Sequence, residues 1–333
     1  MLKITCQLEL VTPAFWAGAD RSQTEIRTQS IKGLLRFWWR AIQPNDITLS
    51  ELAQREGAVF GAGGDKARIS SFHLNALNEG HDTTKDNLPR VMLPRAKGRE
   101  ISINILEYLA YGTYEWEQGG NRFIRSRIKE GTKLELEFLF RKSSTSNHDE
   151  VLKALEAWVS FGGVGSRSRN GFGSLAFVGP VKVNGVERQA VLSKNLFKDW
   201  QQGDSWPQYT AFSKSAMLFE TKLDFNSWSE CLGELGKTYR KCRMDLEPRN
   251  IFRAREFLGA PLIEGKVQRS RFARRAKPYF LHVTKEQGRF RGQILFLPSI
   301  FHPKDLDVST PLAVYKDFNA CLERTGTLRR VGV

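Results

Sequence analysis

The sequence is poor in the residues that build metal centres and cross-linked frameworks. Its four cysteines, Cys6, Cys231, Cys242 and Cys321, lie far apart with no C-x-x-C pair. That spacing signals neither a zinc cluster nor a disulfide framework. The five histidines, His73, His81, His148, His282 and His302, are scattered, and none falls in H-E-x-x-H. The chain has no G-x-S-x-G, no G-x-x-x-x-G-K-[ST] and no G-x-G-x-x-G, so the common hydrolase, nucleotide and dinucleotide signatures are missing. Long apolar runs are missing too. Ile294–Phe301 is short and holds Pro298, well under the ~20 residues that a membrane helix needs. Met1-Leu2-Lys3-Ile4 lacks the charged-then-apolar order of a secretory leader. These absences predict a cytosolic chain with no metal, no cofactor and no membrane partner.

Acidic residues are the other shortage: 36 Asp and Glu face 51 Lys and Arg, for a net charge of +15. Such an excess speaks of partners rather than fold, and it favours a polyanion, most simply nucleic acid. With 333 residues, 41% of them apolar and 26% charged, the chain is globular, with room for two domains at roughly 150 residues each.

Residues 2–10 alternate strictly: Leu2, Ile4, Cys6, Leu8 and Leu10 are apolar, the residues between them polar. Period two predicts a strand with one buried face, ended at Thr12-Pro13. Ser30 to Ile42 follows as a helix with Ile31, Leu34, Leu35, Trp38 and Ile42 inward. A second helical piece covers 49–58, and a strand covers 68–74. Residues 78–131 read as an insertion with some β-structure, carrying the basic clusters Arg95, Lys97, Arg99 and Arg122, Arg125, Arg127, Lys129. Leu134 to Phe140 alternates as a strand. Asn147 and Glu150 have capping-box spacing at the head of a helix running to Phe161. A glycine-rich turn, Gly162 to Gly171, leads to a strand near 172–178. The order strand–helix–strand–strand–helix–strand is the ferredoxin-like pattern.

Residues 196–210 read as a linker. Beyond it come a strand at 219–225, a helix striped by Trp228, Leu232, Leu235, Tyr239 and Cys242, a basic mobile stretch at 245–277, a hairpin at 279–283 and 294–296, and a last helix at 313–328. The predicted class is α+β, with two tandem ferredoxin-like, RRM-like domains at 1–195 and 210–333 and an insertion in the first.

Three basic regions could carry chemistry. The glycine turn combines flexible backbone with Arg167 and Arg169, and successive exposed amides there could cradle phosphate oxygens; its plainer reading is a tight helix-to-strand turn. Lys32, Arg36 and Arg40 sit four apart on one helix face beside Phe37 and Trp39, so phosphates could be held and bases stacked; a solvated helix face is the alternative. The 245–277 stretch holds nine cations, Arg249, Arg253, Arg255, Lys266, Arg269, Arg271, Arg274, Arg275 and Lys277, against four acids. It suits electrostatic tracking of RNA, or an acidic face on another subunit. Arg169 to Phe177 has the general form of the RNA-stacking strand of RRM domains, with one residue too many. Asp20 could act as a base in RNA cleavage, or pair with Arg21 or Arg27.

Three blocks together resemble a known family. Thr12 to Gly18, with Glu25-Ile26-Arg27 and Ser30 to Arg40, resembles the N-terminal signature of the first subunit of the Cmr (type III-B CRISPR) effector complex. Phe161 to Gly173 resembles the glycine-rich loop of the RAMP superfamily. Arg274 to Pro278, followed by Ile294 to Pro298, resembles the C-terminal half of that subunit. Ala17 departs from the pattern, standing where many members have a second glycine. The resemblance implies tandem ferredoxin-like folds and a non-catalytic subunit near the guide 3′ end, touching single-stranded guide or target RNA and other Cmr subunits. By position it implies RNA contacts at Arg27, Lys32, Arg36, Arg40, Gly162, Gly163, Gly165, Ser166, Arg167, Arg169, Arg274 and Arg275. The rivals are a metal-independent RAMP endoribonuclease processing guide RNA, which would need a base such as a histidine near the glycine loop, and a protein-binding scaffold.

Overall fold

The alternating N-terminus becomes the middle strand of a sheet. A computed structural model describes residues 1–78, 80–93, 102–142, 147–190, 193–201, 206–248, 250–264, 267–271, 274–300 and 309–332. Arg95, Lys97, Arg99, Gly203, Arg249, Lys266 and His302 lie outside the described residues. The first sheet contains β1 (Leu2–Leu10), β2 (Phe72–Leu77), β3 (Lys133–Phe140), β4 (Leu175–Phe177), β5 (Val181–Val183) and β6 (Val186–Arg188). Its order is β6-β5-β1-β3-β2, and β4 also pairs with β1. Every pairing is antiparallel, with Cys6 opposite Leu136 and Leu8 opposite Leu134. The predicted strand at 68–74 sits later, at β2, because Phe72 and Leu74 register against Phe140 and Phe138.

Two helices follow β1, α1 (Thr28–Ala41) and α2 (Leu49–Phe60), and a short α3 (Ile105–Leu109) lies between β2 and β3. A fourth, α4 (His148–Phe161), packs beside α1 on the sheet. Ile4, Leu8, Leu35, Trp38, Leu136, Phe138, Leu155 and Trp158 share this core. The predicted capping box at α4 does not form: Asn147 is helical and its side chain makes no cap bond. Glu150 instead accepts a 2.7 Å bond from the Trp39 indole, tying α4 to α1.

The predicted linker also differs. Its first part is a helix, α5 (Ser193–Trp200), with Leu196 and Phe197 in the core. Phe212 packs against Phe161, Phe197 and Trp200. Buried aromatics therefore lash this stretch to the first sheet.

The second sheet contains β7 (Met217–Thr221), β8 (Tyr279–Glu286), β9 (Arg289–Phe296) and β10 (Leu328–Val331) in the order β8-β9-β7-β10. Two helices cover it, α6 (Trp228–Asp245) and α7 (Ser309–Arg324). The hairpin turns at Gln287 and Gly288, with φ of 48° and 78°, the backbone of a tight two-residue turn. The last helix ends before the predicted limit, at Gly326 with φ 75°, and β10 follows. Cys242 and Cys321 form a disulfide between α6 and α7, with Cα atoms 5.6 Å apart. The 79-residue separation gave no sequence sign of it.

The described part of 245–277 is pinned rather than loose. Glu247 accepts bonds from the Ala254 and Arg255 amides and from the Arg255 guanidinium at 3.1 Å, in a pair that is almost fully buried. Glu256, buried, holds Arg271 at 2.7 Å. The 102–131 segment leans on the second core: Leu106, Leu109 and Phe123 cluster with Leu232, Leu235 and Tyr239.

The two cores meet at β8. Phe280 packs on Phe37 and Trp38, and the fully buried His282 places Nδ1 2.8 Å from the Gly162 carbonyl. Nδ1 therefore donates, the ring is neutral, and burial pushes its pKa down to about 4 from 6.5. A folded-state value below the unfolded one means that acid protonates the unfolded chain first. Stability is whole above pH 6.5 and falls as pH drops toward 4. Urea unfolding at pH 7 and pH 5 should show the native chain losing about 2 kcal/mol more than His282→Gln between the two conditions; equal losses would disprove the assignment.

Candidate nucleic-acid interface

The glycine turn is built from Thr12 outward. The buried Thr12 hydroxyl donates to the Gly171 carbonyl at 2.7 Å and accepts from the Ser174 amide at 2.9 Å. The amides of Val164, Ser166 and Gly173 bond to the carbonyls of Gly173, Phe15 and Pro13. At Gly165, φ is 77° and a Cβ would lie 2.5 Å from the Phe15 carbonyl; at Gly173, φ is 68° and a Cβ would lie 2.2 Å from the Val164 carbonyl. The glycines thus allow two backbone segments to touch.

This corrects part of the sequence reading. Gly162 and Gly163 are buried, under Trp38 and against the Gly173 backbone, and offer nothing to RNA. The amides of Gly162, Val164, Ser166, Asn170, Gly171 and Gly173 are already bonded within the protein, so a continuous amide cradle for phosphate does not exist. Phe172 is fully buried and cannot stack a base.

The α1 stripe is corrected as well. Arg36 donates to the Phe60 and Gly61 carbonyls at 3.1 and 2.5 Å and lies 3.7 Å from Glu56. Arg40 pairs with the same carboxylate at 2.8 Å. Lys32 sits over the Phe72 ring at 5.3 Å, and burial, with Arg36 next, holds its ammonium below the usual lysine range. These cations fasten α1 to its neighbours. Trp39 is buried, and Phe37 packs on Phe280, so neither ring is free to stack bases. Arg27 is partly exposed, 3.5 Å from Glu25. Asp20 accepts from the Ser22 amide and hydroxyl, which hold its carboxyl below the usual range. It closes a turn and makes a weak base.

Arg167 and Arg169 meet Lys277 of the basic 245–277 stretch, together with Arg240 and Arg243, which the sequence pattern did not single out. Arg169 lies over Phe280 at 4.4 Å and Phe37 at 5.3 Å, donates to the Lys277 carbonyl at 2.5 Å, and is lowered to about 10 by burial and by Arg275. Lys277 places its buried ammonium 4.4 Å from the Tyr239 ring, with no hydrogen-bond partner among the described residues. Burial, then Arg169, Arg243 and Arg167, hold it well below the usual lysine range. Arg243 reaches the Tyr108 hydroxyl at 3.4 Å, and Arg240 lies over the Tyr108 ring at 5.5 Å, its buried Nε unpartnered among the described residues.

Arg167, exposed with φ 65°, would meet a Cβ at Gly112 and feels Arg125. The exposed Tyr111 and Trp116 stand in the same 102–131 segment as Gly112 and Arg125. None of Arg167, Arg169, Arg240, Arg243 or Lys277 joins an ion pair among the described residues. Like charges gathered without counter-charge disfavour their own ionisation and form a seat for an anion. Arg275 is half-buried, donating to the Ser299 hydroxyl at 2.8 Å, and Arg274 is exposed. Arg240 and Arg243 recur on the helical stripe beside Tyr239, a signal the sequence reading did not use.

Among the described residues no group of His, Cys, Asp and Glu could hold a metal ion, and no helix is long and apolar enough to cross a membrane. Against known proteins, the chain is 28% identical over 186 residues to the CRISPR system Cmr subunit Cmr1-2 of Pyrococcus furiosus, covering 53% of this chain and 95% of that one. It is 25% identical over 321 residues to Cmr subunit Cmr1-1 of the same organism, covering 85% and 84%. The crystal structure of apo Cmr1 from Pyrococcus furiosus superposes with a TM-score of 0.62 at 20% identity over 99% of both chains. A chain in the cryo-EM structure of type III-B Cmr-beta bound to cognate target RNA gives 0.56 at 13% identity, over 96% and 99%. Residues 7–176 match the family model of the RAMP superfamily, and to that superfamily the chain belongs.

Proposed function

We propose that the chain is a non-catalytic, RNA-binding subunit of a type III-B CRISPR ribonucleoprotein acting in antiviral defence. It holds single-stranded guide or target RNA near the guide 3′ end, beside other Cmr subunits in the cytoplasm. One observation carries this: Arg169, Arg243 and Arg167 act on the buried Lys277 ammonium, Arg240 joins Arg243 at Tyr108, and none of the five joins an ion pair among the described residues. The similarity to Cmr subunits supports it. Both halves read as ferredoxin-like units, 1–195 and 210–333, with 78–131 inserted in the first; the strand orders β6-β5-β1-β3-β2 and β8-β9-β7-β10 support that reading. The RNA contacts are Arg167, Arg169, Arg240, Arg243, Lys277 and Arg274, with Gly165, Ser166, Arg27 and Arg275 at the margins. Tyr111, exposed and close enough to act on Arg167, is placed to stack a base there, and phosphate contacts carry no base identity, so binding tolerates sequence.

The endoribonuclease alternative needs a base at the glycine loop. His282 stands there but is fully buried and neutral, which favours binding without cleavage. Purified chain incubated with repeat RNA in EDTA should leave it bound and intact; cleavage would reverse the reading.

Affinity for single-stranded RNA, read by fluorescence anisotropy, should fall with salt at a log–log slope of ~−0.7 per phosphate neutralised. Arg167→Glu should weaken binding about tenfold with thermal stability unchanged. Arg36→Glu should do the opposite, leaving affinity nearly intact while lowering stability by about 2 kcal/mol, as its bonds to Phe60 and Gly61 are lost and Glu56 is repelled. A flat salt response, or the two variants exchanging behaviour, would refute this division.

Lys277 adds a pH dependence. Free, its pKa is depressed; a phosphate beside it favours the charged form and raises that pKa, so binding takes up a proton. Affinity should therefore decline as pH rises toward the ordinary lysine range, and more steeply than in Lys277→Met. Parallel pH profiles would exclude Lys277 from the phosphate site.

A further inference from the structure

A separate concavity opens on the other side of the glycine turn. It has a volume of about 390 Å³, and its walls include Phe15, Trp16, Leu34, Arg21, Arg125 and Ser166. Phe15 and Leu34 make it partly apolar, Arg21 and Arg125 make it cationic, and no carboxylate lines it. Glu25 lies against Gly18 at the edge and is already beside Arg27.

Two polar atoms here have no partner among the described residues: the indole Nε1 of Trp16, a residue only 2% exposed, and the buried Ser166 hydroxyl. Buried polar groups are ordinarily satisfied, and each exception asks for an explanation. The first turn of α1 reaches this wall through Ser30, whose amide is bonded to the Arg27 carbonyl. Arg125 links the concavity to the cation cluster, since its charge acts on Arg167.

We propose that this concavity seats a single nucleotide of the bound RNA, turned out of the strand. The base lies against Phe15 and Leu34, its polar edge is offered to the Ser166 hydroxyl and the Trp16 indole N–H, and its phosphate lies between Arg21 and Arg125. The volume falls in the range of small-ligand sites, roughly 300–1,000 Å³, and proteins that read single strands splay bases into such sites. A free inorganic anion would leave the apolar wall unused. The inference rests on the RNA-binding reading and adds a site to it.

The test uses the full chain and RNAs of about twelve nucleotides carrying 4-thiouridine at each position in turn. Photocrosslinks to the peptides holding Phe15 to Gly18 and Gly165 to Ser166 should come from one position only. An abasic nucleotide at that position should weaken binding about tenfold. A Cβ at Gly33, which lines the concavity, would meet nothing within 4 Å, so Gly33→Phe should fill the space, erase those crosslinks and weaken binding about tenfold. Arg21→Ala, at an exposed position, should weaken it several-fold and decides the matter if Gly33→Phe does not fold. Absent crosslinks, or unchanged affinity in the folded variants while Arg167→Glu still weakens binding, overturn the nucleotide seat and leave RNA binding standing. A native chain that binds no RNA overturns both.

Discussion

The structure turns on one guanidinium. Arg169 lies between Phe37 of the first half and Phe280 of the second, and donates to the Lys277 carbonyl. Next to it the Leu281 amide bonds to the Arg169 carbonyl, and Asn170 bridges to Leu281. This one residue holds the glycine turn against β8. In doing so it fixes where Arg167 emerges and where the Lys277 ammonium is trapped. The glycines serve that arrangement by letting the 162–173 backbone touch the 12–16 backbone. The proposed RNA-binding surface is therefore set by packing, and the cations at its edge inherit their positions.

Such a junction opposes folding. Gathering Arg167, Arg169, Arg243 and Lys277 around a desolvated point raises the free energy of the unliganded chain, and two aromatic-rich cores offset it. Several cations elsewhere are neutralised: Arg36 and Arg40 by Glu56, Arg255 by Glu247, Arg271 by Glu256, Arg291 and Arg329 by Glu220. The contrast marks the junction. A net charge of +15 favours a polyanion partner, and the distribution of carboxylates is what locates the proposed site.

Periodicity made most of the fold legible. Strict alternation in β1 and β3 and the apolar stripes of α1, α4 and α6 follow from one-faced burial, which sequence records directly. The 196–210 stretch reads as a linker because Leu196 and Phe197 are sparse among polar neighbours, and only their packing, with Phe212 just beyond, reveals a core. Strand β10 was hidden because Leu328-Arg329-Arg330-Val331 is short and half charged, and its pairing with β7 is non-local. The candidate site was legible only in part. Arg167 and Arg169 announce themselves beside glycines, yet helical spacing cannot tell a solvated cation from one clamped by Glu56. Lys277, Arg240 and Arg243 come together from distant stretches, through contacts that no local pattern records.

The shared seam at β8 bears on how such chains can be rearranged. Phe280, Leu295 and Leu297 sit in the same cluster as Trp38 and Trp158, while Phe15 and Phe172 sit with Tyr279 and Leu281. Each half thus completes the other's interior. A fragment ending near residue 200 would bare Phe37, Trp38 and the underside of the glycine turn at once, and would have to recruit a substitute lid or clump. Gene fusion or fission at that joint would succeed only where the sticky underside was exchanged along with it.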